Sequence, residues 1–204
     1  MINNLIFDFG NVVVRFDPHY MASLVSNNQE DVETLVNTVF NPKTFEATDR
    51  GLISLEEHIN IVLPEVPNHL KDEAIKLLTD WYKMLPIYDG MENLIAAVKK
   101  AGYKIYVLSN INSHFRDNAH KVDVLKLFDG TVFSSEIKHI KPEPEIYEYI
   151  LKKYSLKAEE CVFIDDRLIN AQGAEKVGIK GYLFEGAEKL KDYINSSKQF
   201  LFKI

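Results

Sequence analysis

Leu5-Ile6-Phe7-Asp8-Phe9-Gly10-Asn11-Val12-Val13 begins with three apolar residues that stop at an aspartate. Four later runs share this form. Lys104 to Leu108 ends at Ser109-Asn110, Thr131-Val132-Phe133 at Ser134-Ser135, Cys161 to Ile164 at Asp165-Asp166, and Gly181 to Phe184 at Glu185-Gly186. Short runs that are apolar without alternation suit strands buried on both faces, as in a parallel sheet. Helical patterns lie between most of them. Met91 to Lys100 is apolar at Met91, Leu94, Ile95 and Val98, and Ile146, Tyr147, Ile150, Leu151 and Tyr154 recur at helical spacing behind Pro144, a good first-turn residue. Arg167 to Lys176 reads as a shorter helix ended by Gly178. The alternation predicts an α/β fold with a doubly wound parallel sheet.

One stretch interrupts that alternation. Between Pro18 and Leu85 the pattern is helical and no strand is evident. Asp17-Pro18 reads as an N-cap with a first-turn proline, Ser54-Leu55-Glu56-Glu57 as a capping box, and Leu70 to Lys83 as an amphipathic helix. Its lone Trp81 reads as a core anchor rather than a ligand platform. The expected organisation is a core of residues 1–16 and 86–204 with a helical insertion, 17–85, after the first strand. An insertion of that length is far longer than an ordinary strand-to-helix connection and is usually functional.

Composition narrows the class. Of 204 residues, 46% are hydrophobic and 26% charged, as in ordinary globular proteins. The apolar runs are too short to span a bilayer, and no basic region precedes an apolar stretch at the start, so a cytoplasmic protein is expected. One cysteine, Cys161, excludes an internal disulfide framework and reads as a small core residue. The net charge of −6 argues against a nucleic-acid partner, and an anionic substrate would have to be attracted by a local cation.

In open parallel sheets, ligands bind beyond the carboxyl ends of the strands. The polar residues at these ends are Asp8, Ser109, Asn110, Asp165 and Asp166, and Lys141 stands before the helix that leads into the fourth strand. Taken singly, each has a bland reading: an aspartate or serine after a strand is often a helix cap, and Lys-Pro often enters a helix. Together they supply clustered carboxylates, a hydroxyl and an ammonium group. Clustered carboxylates repel unless a cation sits among them, and magnesium takes oxygen ligands while bridging carboxylates to a phosphate. One aspartate could then attack phosphorus.

These residues resemble the haloacid dehalogenase superfamily along nearly the whole chain. The four matching motifs are Leu5 to Val13, Val107-Leu108-Ser109-Asn110, Lys141-Pro142-Glu143-Pro144, and Val162-Phe163-Ile164-Asp165-Asp166. The resemblance implies a Rossmann-like core with a helical cap after strand 1. It implies a hydrolase acting on small phosphate monoesters, sugar phosphates included, with no membrane partner. By position, Asp8 is the nucleophile and a Mg2+ ligand, the Gly10 carbonyl and Asp166 are further ligands, and Asp165 reaches the metal through water. Ser109, Asn110 and Lys141 belong to the phosphate site, Lys141 also being catalytic, and Asn170 supports the metal loop. Asp49 and Arg50, in the cap's Asp49-Arg50-Gly51 turn, are expected to face the substrate.

The chain departs from the family at Gly10, where its phosphatases usually carry a second aspartate that protonates the leaving oxygen. Dehalogenases of the superfamily also lack it, but they need no magnesium and typically lose the acidic pair that Asp165-Asp166 retains. A relative that only binds phosphate is the other alternative. Receiver-type phosphoacceptor domains share an acidic pair, a hydroxyl and a lysine, but they are shorter and place the phosphorylated aspartate on the third strand. A subgroup with Asp-Leu-Gly-Asn-Val motifs, which includes bacterial α-D-glucose-1-phosphate phosphatase, is strongly similar here. A sugar 1-phosphate has an acidic hemiacetal leaving group, which lessens the need for a general acid. Otherwise water or a cap residue supplies the proton, with Asp17, His19, Asp49 and Arg50 as candidates.

Overall fold

The computed structural model describes residues 1–204, the side chain of Lys43 excepted. Strands β1 (Asn4–Phe7), β2 (Lys104–Ser109), β3 (Gly130–Phe133), β4 (Cys161–Asp165) and β5 (Lys180–Leu183) form one sheet in the order β3-β2-β1-β4-β5. Every pairing is parallel. The α/β class and the five strands are those the sequence predicts. Strand order reverses at β1, so the switch point of the sheet lies at the strand tip that carries Asp8.

Between β1 and β2 lie α1 (Pro18–Ser23), α2 (Gln29–Val39), α3 (Pro42–Asp49), α4 (Leu55–Val62) and α5 (Lys71–Asp80), followed by a 3-10 turn at Trp81–Lys83 and α6 (Met91–Ala101). The remaining helices are α7 (Ser113–Asn118), α8 (Ser134–Ile137), α9 (Pro144–Lys153), α10 (Leu168–Glu175) and α11 (Ala187–Ser196). Local chemistry explains several starts. The Asp17 carboxylate accepts the His19 and Tyr20 amides at the head of α1, and Ser54 and Glu57 cap each other's backbone at α4. Arg167 adopts extended backbone, so α10 starts one residue later than its pattern suggests. Ser134-Ser135, a polar break in the sequence, forms the single turn α8.

Alternation along the strands sends side chains into two apolar layers. Leu5, Phe7, Val107 and Ile164 join one cluster, which continues into the insertion through Leu35, Leu77 and Trp81. Ile6, Leu108 and Phe163 join the other, closed by Ile146, Tyr147 and Ile150 of α9. Burial on both faces is complete in β1 and β4, and in β2 beyond Lys104. It fails at the edges: β5 has no buried residue, and β3 is buried only at Val132 and Phe133. An edge strand has a neighbour on one side only, and short edge strands limit unwanted pairing. Among the described residues, no helix is long and apolar enough to cross a membrane.

Phe115 ties the insertion to the sheet. Its ring meets Trp81 at 5.1 Å, Phe9 at 5.4 Å and Phe133 at 5.7 Å between centroids. Phe115→Ala is expected to lower unfolding free energy by about 3–5 kcal/mol. Urea denaturation followed by the fluorescence of Trp81, the single tryptophan, measures this directly.

Candidate active site

Strand register assembles the charged floor of the site. Phe7 pairs with Ile164, and the Asp8 amide donates to the Ile164 carbonyl at 2.8 Å. The following residues, Asp8 and Asp165, therefore emerge side by side at two adjacent strand tips. The Lys141 Nζ lies between them, 2.7 Å from Asp8 Oδ1 and 2.7 Å from Asp165 Oδ2. All three groups are buried, the Asp165 side chain completely. Burial and repulsion from Asp165 raise the Asp8 carboxyl to about 7 against the pull of Lys141. Burial opposes the charge on Lys141, yet the two carboxylates outweigh it and hold the ammonium above its ordinary range.

Backbone clamps keep this lysine in place. Asn110, just beyond β2, accepts the Lys141 amide at 2.7 Å and donates to the Lys141 carbonyl at 3.2 Å. Asn110, expected to bind phosphate, thus grips the lysine loop while also bordering the cavity. Ser109 is buried at the tip of β2. Asp165 accepts the Arg167 amide at 2.8 Å, and the Asn170 side-chain amide lies 3.0 and 3.1 Å from its two oxygens. Asp165 therefore has its oxygens committed within the protein, whereas Asp166 is half-buried at the cavity wall.

Carboxylate oxygens of Asp8, Asp165 and Asp166 lie within 4.8 Å of one another. Three carboxylates and one ammonium leave an excess of two negative charges when all are ionised. Asn170 Oδ1 is buried nearby without a partner. An all-oxygen donor set with this excess fits a hard divalent cation such as magnesium, and the Asn170 oxygen fits an acceptor for a metal-bound water.

A cavity of about 230 Å³ opens above this floor. Gly10 and Asn11 border it, and Asn11 holds a left-handed φ of 57°, with its side chain accepting the Phe16 amide at 3.0 Å. Asparagine tolerates that conformation better than most residues, which explains its place in the first motif. A Cβ at Gly10 would meet only Phe16 Cβ, at 3.6 Å. The opposite wall includes Phe16, Phe45, Trp81 and Asp49. Trp81 therefore serves both the core and the cavity, where the sequence suggested the core alone.

Asp49 and Arg50 diverge. The Asp49 side chain borders the cavity, and burial, with Asp8 and Glu46 adding to it and Lys141 opposing, raises its carboxyl to about 7. Arg50 turns away from the cavity. Its guanidinium reaches Glu46 at 3.1 Å and Glu143 at 2.6 Å, so it joins the insertion to the Lys141 loop rather than lining the cavity. The local chain makes the split rigid. Leu52 donates to the Ala47 carbonyl and Gly51 to Thr48, a Schellman ending for α3 with Gly51 left-handed at φ 64°. A Cβ at Gly51 would lie 2.9 Å from the Ser135 carbonyl, so only glycine allows this approach to α8. Ser134 Oγ also donates to the Asp49 carbonyl at 2.5 Å.

Asp17 and His19, the other candidates for proton transfer, lie away from the cavity, as do three further titratable side chains. Asp17 caps α1, and His19 pairs with Glu33 at the surface. His114 bonds the Thr79 carbonyl, His139 pairs with Glu143, and burial pushes the Cys161 thiol up to about 12 within the core.

The model for haloacid dehalogenase-like hydrolases matches residues 2–178. The chain belongs to the haloacid dehalogenase-like hydrolase family. Within it, this hydrolase is 28% identical over 188 residues to a sesquiterpene phosphatase of Aspergillus oryzae, covering 86% of each chain. It is 24% identical over 191 residues to a D-ribitol-5-phosphate phosphatase of Bacteroides thetaiotaomicron, covering 89% of this chain and 91% of that one. A wild-type enzyme of the family from Bacteroides thetaiotaomicron, crystallised with magnesium and inorganic phosphate, superposes with a TM-score of 0.69 at 25% identity, over 91% of this chain and 96% of the other.

Lys141→Met would leave Asp8 and Asp165 buried without their counter-charge. The expected loss is about 3–5 kcal/mol of unfolding free energy in chelator-treated protein. Urea titration at neutral pH reads this loss, and a change below 1 kcal/mol (roughly the worth of a surface pair) would contradict the buried bridge.

Proposed function

We propose that this hydrolase is a magnesium-dependent phosphatase that cleaves small phosphate monoesters, sugar phosphates such as glucose 1-phosphate among them, through a phosphorylated Asp8. Residues 1–16 and 86–204 act as the catalytic core, and residues 17–85 act as a cap over the leaving group. The observation that carries the reading is the meeting of Asp8, Asp165 and Asp166 around Lys141 at the floor of one cavity. The retained acidic pair supports phosphate rather than halide chemistry. The magnesium- and phosphate-bound family structure and the two phosphatase relatives support it independently.

Asp8, Asp166 and the Gly10 carbonyl would hold Mg2+ directly, with Asp165 and Asn170 acting through its waters. The ion supplies neutralisation of the phosphoryl oxygens. Lys141 holds Asp8 in place and adds positive charge where the phosphate arrives, with Ser109 donating from the neighbouring strand tip. Asp8 attacks phosphorus, its carboxylate oxygen forms the new bond, and water later hydrolyses the acyl phosphate. The aromatic wall of Phe16, Phe45 and Trp81 accepts the carbon face of a sugar or an isoprenoid chain, so polar contacts decide between them.

Phosphate release from glucose 1-phosphate, ribitol 5-phosphate, a prenyl phosphate and a simple alkyl phosphate tests this reading, with Mg2+ and with chelator. Wild type should require Mg2+, and Asp8→Asn should fall to background on every substrate. Metal-independent turnover of 2-haloacids, or magnesium binding with no phosphate release from any ester, would overturn it. Glucose 1-phosphate turning over no faster than the alkyl phosphate would remove that sugar from the proposal.

A further inference from the structure

We infer that Asp49, reaching in from the end of α3, is the general acid and base of the reaction, in the role left vacant at Gly10. The inference rests on the phosphatase reading above. In-line displacement puts the leaving oxygen on the side of phosphorus away from Asp8. That side is the wall built by the insertion, and Asp49 is its only carboxyl among the described cavity residues. The other carboxyl and amine groups lining the cavity are committed. Asp8 is the nucleophile, Asp166 belongs to the cation site, and Lys141 is held as an ammonium by two carboxylates at 2.7 Å.

The position of Asp49 is built, not incidental. Its carbonyl is held by Ser134, the helix end is fixed by Gly51, and its neighbour Arg50 is tied to Glu143. Asp49 is half-buried, with Asp8 and Lys141 facing it from the core and Glu46 from its own helix, while Asp166 and Arg167 line the same cavity. These surroundings let it carry a proton near neutral pH, where an exposed aspartate would not.

The proton balance closes. As the Asp8 oxygen bonds to phosphorus, the bond from phosphorus to the leaving oxygen breaks, and that oxygen keeps the electron pair. The Asp49 proton neutralises it, giving the free alcohol. The Asp49 carboxylate then takes a proton from water as the water oxygen attacks phosphorus. The acyl phosphate opens, and Asp8 carboxylate and inorganic phosphate are restored with Asp49 again protonated.

Leaving-group dependence tests the assignment. Asp49→Asn keeps size and removes the transferable proton. With an alkyl phosphate and Mg2+, kcat/KM, which reports the step that expels the leaving group, should drop about 10²–10⁴-fold, and with p-nitrophenyl phosphate, whose leaving group is acidic, the drop in kcat/KM should be at least roughly ten-fold smaller. Gly10→Asp added to Asp49→Asn should recover much of the alkyl phosphate rate, since a side chain fits there and a folding defect would not be rescued. Equal losses on both substrates without rescue, or an undiminished alkyl phosphate rate in Asp49→Asn, would overturn the role of Asp49. Wild type inert on both esters would overturn the phosphatase reading and this role with it, an outcome visible before any variant is made.

Discussion

Lys141 carries one positive charge into a strand-tip pocket that water scarcely reaches, and two carboxylates wait for it there. Burying such groups is costly unless each finds a partner, so their geometry has little freedom. The sheet supplies the carboxylates through the pairing of Phe7 with Ile164, and Asn110 supplies the lysine by gripping its backbone from β2. Register, loop and charge therefore depend on one another. A slip of one residue in β1 would turn Asp8 toward the opposite sheet face and leave the ammonium unpaired.

The second organising feature is the shared apolar cluster. Phe7 and Val107 belong to the sheet, and Leu35 and Leu77 to the insertion, yet all join one continuous layer. Phe115 and Trp81 stack where the two parts meet, and the cavity lies beside that junction. The reactive floor is polar and the facing wall largely aromatic. Under the proposed function, a substrate would be sorted end to end, its charged group toward the strand tips and its carbon skeleton toward the rings.

The strands and their polar tips were legible because both signals are local: an apolar run, then a side chain that can bond. Capping at Asp17 and Ser54 was legible for the same reason. Edge and centre were not, since Tyr182-Leu183 has the same apolar look as Phe163-Ile164 and only pairing order separates them. Asp49 could be named as one of several residues in a turn. The direction of Arg50 could not, because its partner Glu143 is 93 positions away and comes near only through the docking of α3 on α8. The aromatic wall was missed for a similar reason. Phe16, Phe45 and Trp81 come from three separate segments, and each looks like ordinary core until they meet.

The bridge from Arg50 to Glu143 spans the cleft at a telling place. One end is the immediate neighbour of Asp49, and the other is two residues from Lys141. Any swing that parts the two halves must either break that contact or tug on the strap bearing the ammonium. The separation of the two halves and the position of that strap therefore meet in one ion pair.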